Sequence, residues 1–259
     1  MGNVLAFHGS DRKSGVTMTS LAVCQELVKM HPEKTVLLLC LNSRSGAEYL
    51  SEETCSIEDL RLHIVSRTLT AEELKMRCRY KDGFYVVTGL TDSVVGREYL
   101  PEMSEYLIGV AKEQFDFVVC DTGSDLDDGL ALGAMTGSDK KYMVISQCES
   151  GLKGYEQNEW LYEKLGINFD RILINRFFPA DPYDIDYISE RLGRTKDMFH
   201  IIRTAGYCRQ AEIDHKSLLE YRNDNYRVDI NSLAEYISRQ AGYRDSLERK
   251  RRLWRIGSI

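Results

Sequence analysis

Short runs of apolar residues alternate along this chain with longer segments in which apolar residues recur every three or four positions. A continuous apolar run fits a strand that is covered on both faces, whereas the longer spacing fits a helix with one buried face. We therefore predict an α/β fold, with a mainly parallel twisted sheet and helices on both of its faces. The predicted strands are 4–7, 35–41, 84–88, 117–121, 141–146, 171–175 and 200–203, and the predicted helices are 17–31, 56–64, 70–76, 101–114, 155–165, 185–192 and 230–240.

Length and composition fit one such domain. The chain has 259 residues, of which 43% are hydrophobic and 29% charged, and it contains neither repeats nor low-complexity segments. A chain of this size and composition can bury an adequate core. We predict a single domain over residues 1–242, followed by a basic amphipathic tail over 243–259.

Charge and cysteine usage exclude several classes of protein. The formal net charge of −6 argues against coating of nucleic acid by the whole surface, although a local basic patch remains compatible with it. The seven cysteines are odd in number and never spaced C-x-x-C, which is typical of a reducing cytosol without structural zinc or disulfides. The sequence enters a strand at once and has no apolar run of about 18 residues, so we expect a cytoplasmic protein with no signal peptide or membrane span.

The segment 4–22 is typical of a phosphate site. An apolar run leads through a small polar loop into a helical pattern, so that loop and helix N–H groups can converge on one anion. The P-loop pattern is G-x-x-x-x-G-K-[ST]. With Thr19 as its hydroxyl residue, the other fixed positions hold Arg12, Thr17 and Met18. The sequence therefore predicts a phosphate loop without its lysine.

Three motifs carry a resemblance to the MinD/ParA family of P-loop ATPases. Residues 13–20 resemble that family's deviant Walker A motif, K-G-G-V-G-K-T-T, with matches at Lys13, Gly15, Val16 and Thr19. Residues 117–123 resemble its Walker B strand and second switch, and 172–176 resemble its base-binding strand end. Order and spacing agree over residues 3–240. The resemblance implies a P-loop ATPase fold, bound ATP or ADP with Mg²⁺, and a homodimer formed across the nucleotide.

The same resemblance assigns roles to individual residues. Thr19 and Asp121 would hold Mg²⁺, Asn175 would contact adenine, and Lys13 would reach the partner's nucleotide. The ordinary alternatives are a helix-capping threonine, a strand-end aspartate, a turn asparagine and a solvent-exposed lysine. The nucleotide-binding residues expected in this way are Lys13, Ser14, Gly15, Val16, Thr17, Met18, Thr19, Ser20, Asn175 and Arg176.

Two departures from the family pattern bear on catalysis. Met18 stands where the family has a lysine, and loss of one charge-assisted contact costs about 1.5–3 kcal/mol, or roughly a tenfold to hundredfold in affinity. Asn42 stands where the family has an aspartate that positions water, and an amide cannot accept a proton from it. Lys13 and Asn42 are the remaining catalytic candidates. We expect weak or absent hydrolysis.

The tail places six basic residues beside Leu247, Leu253, Trp254 and Ile256. It resembles the membrane-binding helix that ends MinD proteins, and attraction of about 1 kcal/mol per basic residue makes peripheral contact with the inner face of the cell membrane reasonable. A surface for a protein partner, a solvated helix and local DNA contact are the alternatives. In contrast, Asp125, Asp127 and Asp128 are expected to form a solvated acidic loop, and the five histidines show no metal-ligand spacing.

Three functions remain open from the sequence. The first is a dimerising localisation or assembly factor, for pili, secretion or positioning, near the TadZ/CpaE group. The second is an active ATPase that positions cargo or DNA, with Lys13 or a partner replacing the missing lysine. The third is a nucleotide-free scaffold, in which Arg12 fills the phosphate position.

Overall fold

The computed structural model describes residues 2–92, 94–203 and 205–243. Within them the strands are β1 (Asn3–Gly9), β2 (Val36–Cys40), β3 (Arg79–Lys81), β4 (Phe84–Val87), β5 (Phe117–Asp121), β6 (Lys140–Ser146), β7 (Arg171–Phe177) and β8 (Phe199–Arg203). The helices are α1 (Val16–Met30), α2 (Ile57–Ser66), α3 (Ala71–Arg77), α4 (Pro101–Gln114), α5 (Gly129–Gly137), α6 (Glu149–Lys164), α7 (Ile185–Arg191), α8 (Cys208–Asp214) and α9 (Asp224–Gln240).

The strands form one sheet in the order β3-β4-β2-β5-β1-β6-β7-β8. All neighbours are parallel except β3, which pairs antiparallel with β4 at the edge. Strand β1 lies between β5 and β6, so the chain leaves it for one side of the sheet and later returns to the other. In open parallel sheets, ligands bind at the carboxyl ends of strands next to such a reversal of strand order. The loop that follows β1 occupies this position.

The core has two layers, one on each face of the sheet. Alternate residues of β1 belong to different layers: Val4 and Ala6 to one, Leu5 and Phe7 to the other. Helices α1, α8 and α9 cover the face of Leu5 and Phe7, and α2 to α7 cover the opposite face. The predicted class, a mainly parallel sheet with helices on both faces, is confirmed.

Local signals explain why the predicted helices form. Ser56 caps α2 in a reciprocal capping box with Asp59, Thr70 caps α3, and Pro101 occupies the first turn of α4. The pattern predicted α6 and α9 too short, because their first turns carry few apolar residues.

Helix α5 was not predicted, since three of its nine residues are glycine. Its packing explains this composition. A Cβ at Gly133 would lie 2.1 Å from the carbonyl oxygen of Pro101, so glycine allows α5 to approach α4 closely. Strand β3 and helix α8 were also missed, because both are short and half-exposed.

The described chain ends at Tyr243, whose ring packs on the amino edge of the sheet. Its centroid lies 5.6 Å from that of His31 and 5.1 Å from that of Phe117, with Lys34 Nζ 4.8 Å away. The rest of the predicted tail, residues 244–259, lies outside the described residues. In the ranges that are described, no helix has the length and apolarity needed to cross a membrane.

Candidate phosphate-binding site

The loop between β1 and α1 is held at both of its ends. Gly9 N–H donates to the carbonyl of Gly123 at 2.7 Å, and Ser10 N–H to that of Val144 at 3.0 Å. Gly15 is the N-cap of α1 and has φ +92°, a left-handed conformation that favours glycine. Lys13 also has positive φ, at 61°. The loop therefore turns sharply just before the helix begins.

The interior of this loop carries unpaired donors. Within the described chain, the N–H groups of Val16, Thr17 and Met18 have no acceptor, as expected for the first turn of a helix. The hydroxyls of Ser10 and Ser14 are also buried and find no partner among the described residues. Buried polar groups are normally paired, so an unpaired set around a helix N-terminus indicates a place for an anion.

Thr17, rather than Thr19, contacts Asp121. The Thr17 hydroxyl donates to Asp121 Oδ2 at 2.6 Å, whereas the fully buried Thr19 hydroxyl has no partner in the described part of the chain. Two positions apart on a helix differ by about 200°, so these side chains point to opposite sides. The expected pairing of Thr19 with Asp121 is therefore corrected to Thr17 with Asp121.

This contact shifts the P-loop pattern by two residues. With Thr17 as the hydroxyl residue, Ser10 and Gly15 take the glycine positions and Val16 takes the lysine position. Met18 packs into the apolar layer of α1 and α9, so its side chain has a structural place there. In this register Val16, rather than Met18, stands at the lysine position of the pattern, and neither side chain carries a charge.

Asp121 is completely buried beneath this loop. Burial raises its pKa above the ordinary value, although hydrogen bonds from the Thr17 hydroxyl and the Gly123 N–H act against the shift. The Gly123 bond, at 3.0 Å, occupies Oδ1. A carboxylate that costs free energy to bury and adjoins a hydroxyl is suited to a divalent cation.

Two asparagines flank the loop. Asn42 Nδ2 donates to the carbonyl of Asp121 at 3.1 Å, while its buried Oδ1 has no donor among the described residues. Asn175 Nδ2 donates to the carbonyl of Ser14 at 2.8 Å, and its Oδ1 accepts the N–H of Arg176 at 2.9 Å. Asn175 thus supports the loop backbone, a contact that the sequence did not reveal, and its adenine role remains a prediction.

Three exposed cationic residues belong to segments at the carboxyl ends of the strands: one in the loop itself, one after β2 and one at the end of β7. Lys13, Arg44 and Arg176 are exposed, and no acceptor for their side chains lies within the described residues. The guanidinium of Arg12 lies 4.0 Å from the carboxylate of Asp125, and both side chains are exposed. Arg12 therefore does not fill the phosphate position.

Aspartates of the acidic segment after β5 form hydrogen bonds that hold this segment and the start of α5 in place. Asp128 caps α5 and accepts a hydrogen bond from Ser43, which joins the loops after β2 and β5. Asp125 accepts the N–H of Asp127 at 3.3 Å. Among the described residues, no three His, Cys, Asp or Glu side chains lie together in a way that could hold a metal ion.

His8 fastens the end of β1 to the loop after β5. Its Nδ1 lies 2.9 Å from the hydroxyl of Thr122, which in turn donates to the carbonyl of Phe7. Burial lowers the pKa of His8 to about 4, so the ring is neutral at pH 7. Sequence analysis gave His8 no function, and its contacts are structural.

A parallel sheet whose central strand leads through a glycine-bent loop into a helix defines the P-loop class of nucleotide-binding folds. The chain superposes on a ParA family ATPase from Chlorobium tepidum TLS with TM-score 0.78 and 18% identity, covering 90% of this chain and 97% of that one. It superposes on MinD from Pyrococcus horikoshii OT3, complexed with Mg-ADP, with TM-score 0.64 and 18% identity, covering 93% of this chain and 98% of that one. On the MinC:MinD cell division complex of Aquifex aeolicus it superposes with TM-score 0.70 and 14% identity, covering 91% of this chain and 96% of that one.

The chain therefore has the fold of the MinD/ParA ATPases, and the predicted resemblance is confirmed at that level. Identities of this size show the fold alone. A scan of family models and a search of curated proteins found no match to the sequence.

Proposed function

We propose that this chain is a MinD/ParA-like protein that binds an adenine nucleotide with Mg²⁺ at the loop 10–17. The observation that carries the proposal is the group of unpaired donors inside this loop. The first-turn N–H groups of α1 and the hydroxyls of Ser10 and Ser14 all belong to this loop and the helix start, and none has an acceptor in the described chain. A phosphate supplies acceptors for such a group, and the positive end of the α1 dipole adds to the attraction.

Thr17 and Asp121 are the residues that would hold the metal. Their hydroxyl and carboxylate oxygens are 2.6 Å apart, and hard oxygen ligands of this kind suit Mg²⁺. When bound, the ion would neutralise phosphate charge. This matters more here than in a standard P-loop, because neither Val16 nor Met18 carries a cation. The Mg-ADP bound to MinD from Pyrococcus horikoshii supports a nucleotide bound together with Mg²⁺.

The same residues give a reason for slow turnover. Asn42 has its Nδ2 committed to the carbonyl of Asp121, and its free Oδ1 can orient water but not take its proton. Asp121 is fully buried and already accepts two hydrogen bonds. Because Asn42 cannot act as a base and Asp121 is assigned to the metal, we propose that hydrolysis is weak or absent.

A protein that binds nucleotide without efficient turnover suits a localisation or assembly role. We propose that it acts as a nucleotide-dependent homodimer with a protein partner, in pilus assembly, secretion or positioning, with Lys13 facing the second copy. The MinC:MinD complex of Aquifex aeolicus supports a protein partner. Peripheral membrane contact through residues 243–259 belongs to the same proposal.

Titration calorimetry of the full chain with Mg-ATP and Mg-ADP tests the binding step. We expect saturable heat and a rise in melting temperature, both reduced when Mg²⁺ is removed by a chelator. Phosphate release should stay near the background of a Gly15→Ala control, whose loop cannot keep its conformation. Absence of heat and of stabilisation at millimolar nucleotide would reject the proposal.

A second candidate function is an active ATPase for cargo or DNA positioning. Lys13 favours it, because its side chain is exposed and has no partner among the described residues. Phosphate release that saturates with ATP and falls in a Lys13→Ala variant would support it. The nucleotide-free scaffold has lost its specific support, because the guanidinium of Arg12 is exposed to solvent, 4.0 Å from Asp125, and is not buried in the phosphate position.

A further inference from the structure

We propose that Arg44 supplies, from the same chain, the positive charge that the loop 10–17 lacks, by contacting the terminal phosphates of the bound nucleotide. This inference rests on the proposed function. It adds Arg44, a cationic residue of the segment after β2, to the residues proposed to bind the nucleotide. The sequence motifs did not indicate a role for Arg44.

The segment 42–46, which follows β2, is fixed on both sides of Arg44. On one side, Asn42 and Ser43 bond to the Asp121 carbonyl and to the Asp128 carboxylate. On the other, the carbonyl of Ser45 accepts the N–H of Gly89 at 2.7 Å. The backbone at position 44 is therefore held in place although its side chain is exposed.

This segment lies over the first turn of α1. A Cβ at Gly46, which has φ +68°, would lie 2.7 Å from Cys40 Sγ and 3.9 Å from Thr17 Cγ2. Two residues span at most about 7 Å, so the Cα of Arg44 is within that distance of Gly46. A guanidinium on its long side chain can therefore reach the space above Thr17, where a phosphate would lie.

Arg44 is also electrostatically suited to this role. No carboxylate among the described residues forms an ion pair with it, whereas Arg12 is directed at Asp125. A planar guanidinium can donate two parallel hydrogen bonds to phosphate oxygens. Because the backbone at position 44 is already held in place, little of its conformational entropy would be lost on binding.

The test compares Arg44→Ala with Arg67→Ala, a matched control at an exposed arginine that ends α2, far from the loop. Calorimetry with Mg-ATP and with AMP is run on both variants and on the unmodified chain. We expect Arg44→Ala to weaken Mg-ATP binding by about 10- to 100-fold, with AMP affinity and the ligand-free melting temperature unchanged. Arg44→Lys should recover part of the loss, and added salt should narrow the difference.

Each other result has a defined meaning. If the unmodified chain binds Mg-ATP and the two variants Arg44→Ala and Arg67→Ala bind it with equal affinity, the role of Arg44 is overturned and the proposed function stands. Equal losses of ATP and AMP affinity would also overturn it, because they would indicate a general disturbance of the site. No binding by the unmodified chain would reject both proposals.

Discussion

The pair Thr17→Val and Thr19→Val tests the register of the loop directly. Both changes replace a hydroxyl by a methyl group of nearly equal size, at positions only two apart on α1. Thr17 donates to the buried Asp121 at 2.6 Å, whereas the Thr19 hydroxyl has no partner within the described residues. The two variants should therefore behave differently, although their chemistry is the same.

The expected magnitudes follow from these contacts. Thr17→Val leaves a buried carboxylate oxygen unpaired, which costs about 1.5–3 kcal/mol. In a domain of this size, 1 kcal/mol corresponds to roughly 2–4 °C in melting temperature, so we expect a fall of about 3–12 °C. Thr19→Val removes a hydroxyl whose burial is uncompensated, and should leave stability unchanged or slightly raise it.

Thermal and urea unfolding of the ligand-free chains measure this difference in stability. Calorimetry with and without Mg²⁺ measures how each substitution changes nucleotide binding. Only Thr17→Val should lose the magnesium dependence of nucleotide binding. Equal melting temperatures for the two variants, or a greater loss in Thr19→Val, would refute the reasoning and restore Thr19 as the hydroxyl of the motif.

Further predictions concern His8, the loop glycine and one helix cap. Because burial lowers the pKa of His8 from 6.5 to about 4, its contribution to stability is lost as pH falls through that window. Between pH 7 and 4, the free energy of unfolding measured with urea should therefore fall by about 3 kcal/mol more in the unmodified chain than in His8→Asn. Parallel pH profiles of this free energy would contradict the prediction. Gly15→Ala should cost more than Gly166→Ala, since both have positive φ but only the first would place a Cβ 2.3 Å from Asn175 Nδ2; equal melting temperatures would show that the contact is harmless. Ser56→Ala should cost about 1 kcal/mol by loss of the α2 cap, and an unchanged unfolding midpoint would disprove that cap's contribution.

Much of the fold could be predicted because most strands are buried on both faces. Such strands are continuous apolar runs, and seven of the eight described strands were found from them. The missed elements lack this signal. β3 is an exposed edge strand, and α5 owes its glycines to close packing against α4, which no local propensity contains.

The site was predictable in place but not in register. Thr17 and Thr19 both satisfy the motif, and only the direction of their side chains on α1 decides which meets Asp121. The role of Asn175 was hidden for a similar reason. Its partner is the carbonyl of Ser14, 161 positions earlier in the chain. Every residue has a backbone carbonyl, so the residue types alone do not indicate such a contact.

Helix α1 touches both edges of the sheet. It starts at the loop on the carboxyl edge, and after about 22 Å it ends at His31, whose ring packs on Tyr243 at the amino edge. Tyr243 is the residue from which 244–259 continues. One helix thus links the loop that carries the candidate site with the residue from which 244–259 continues, without crossing the strands.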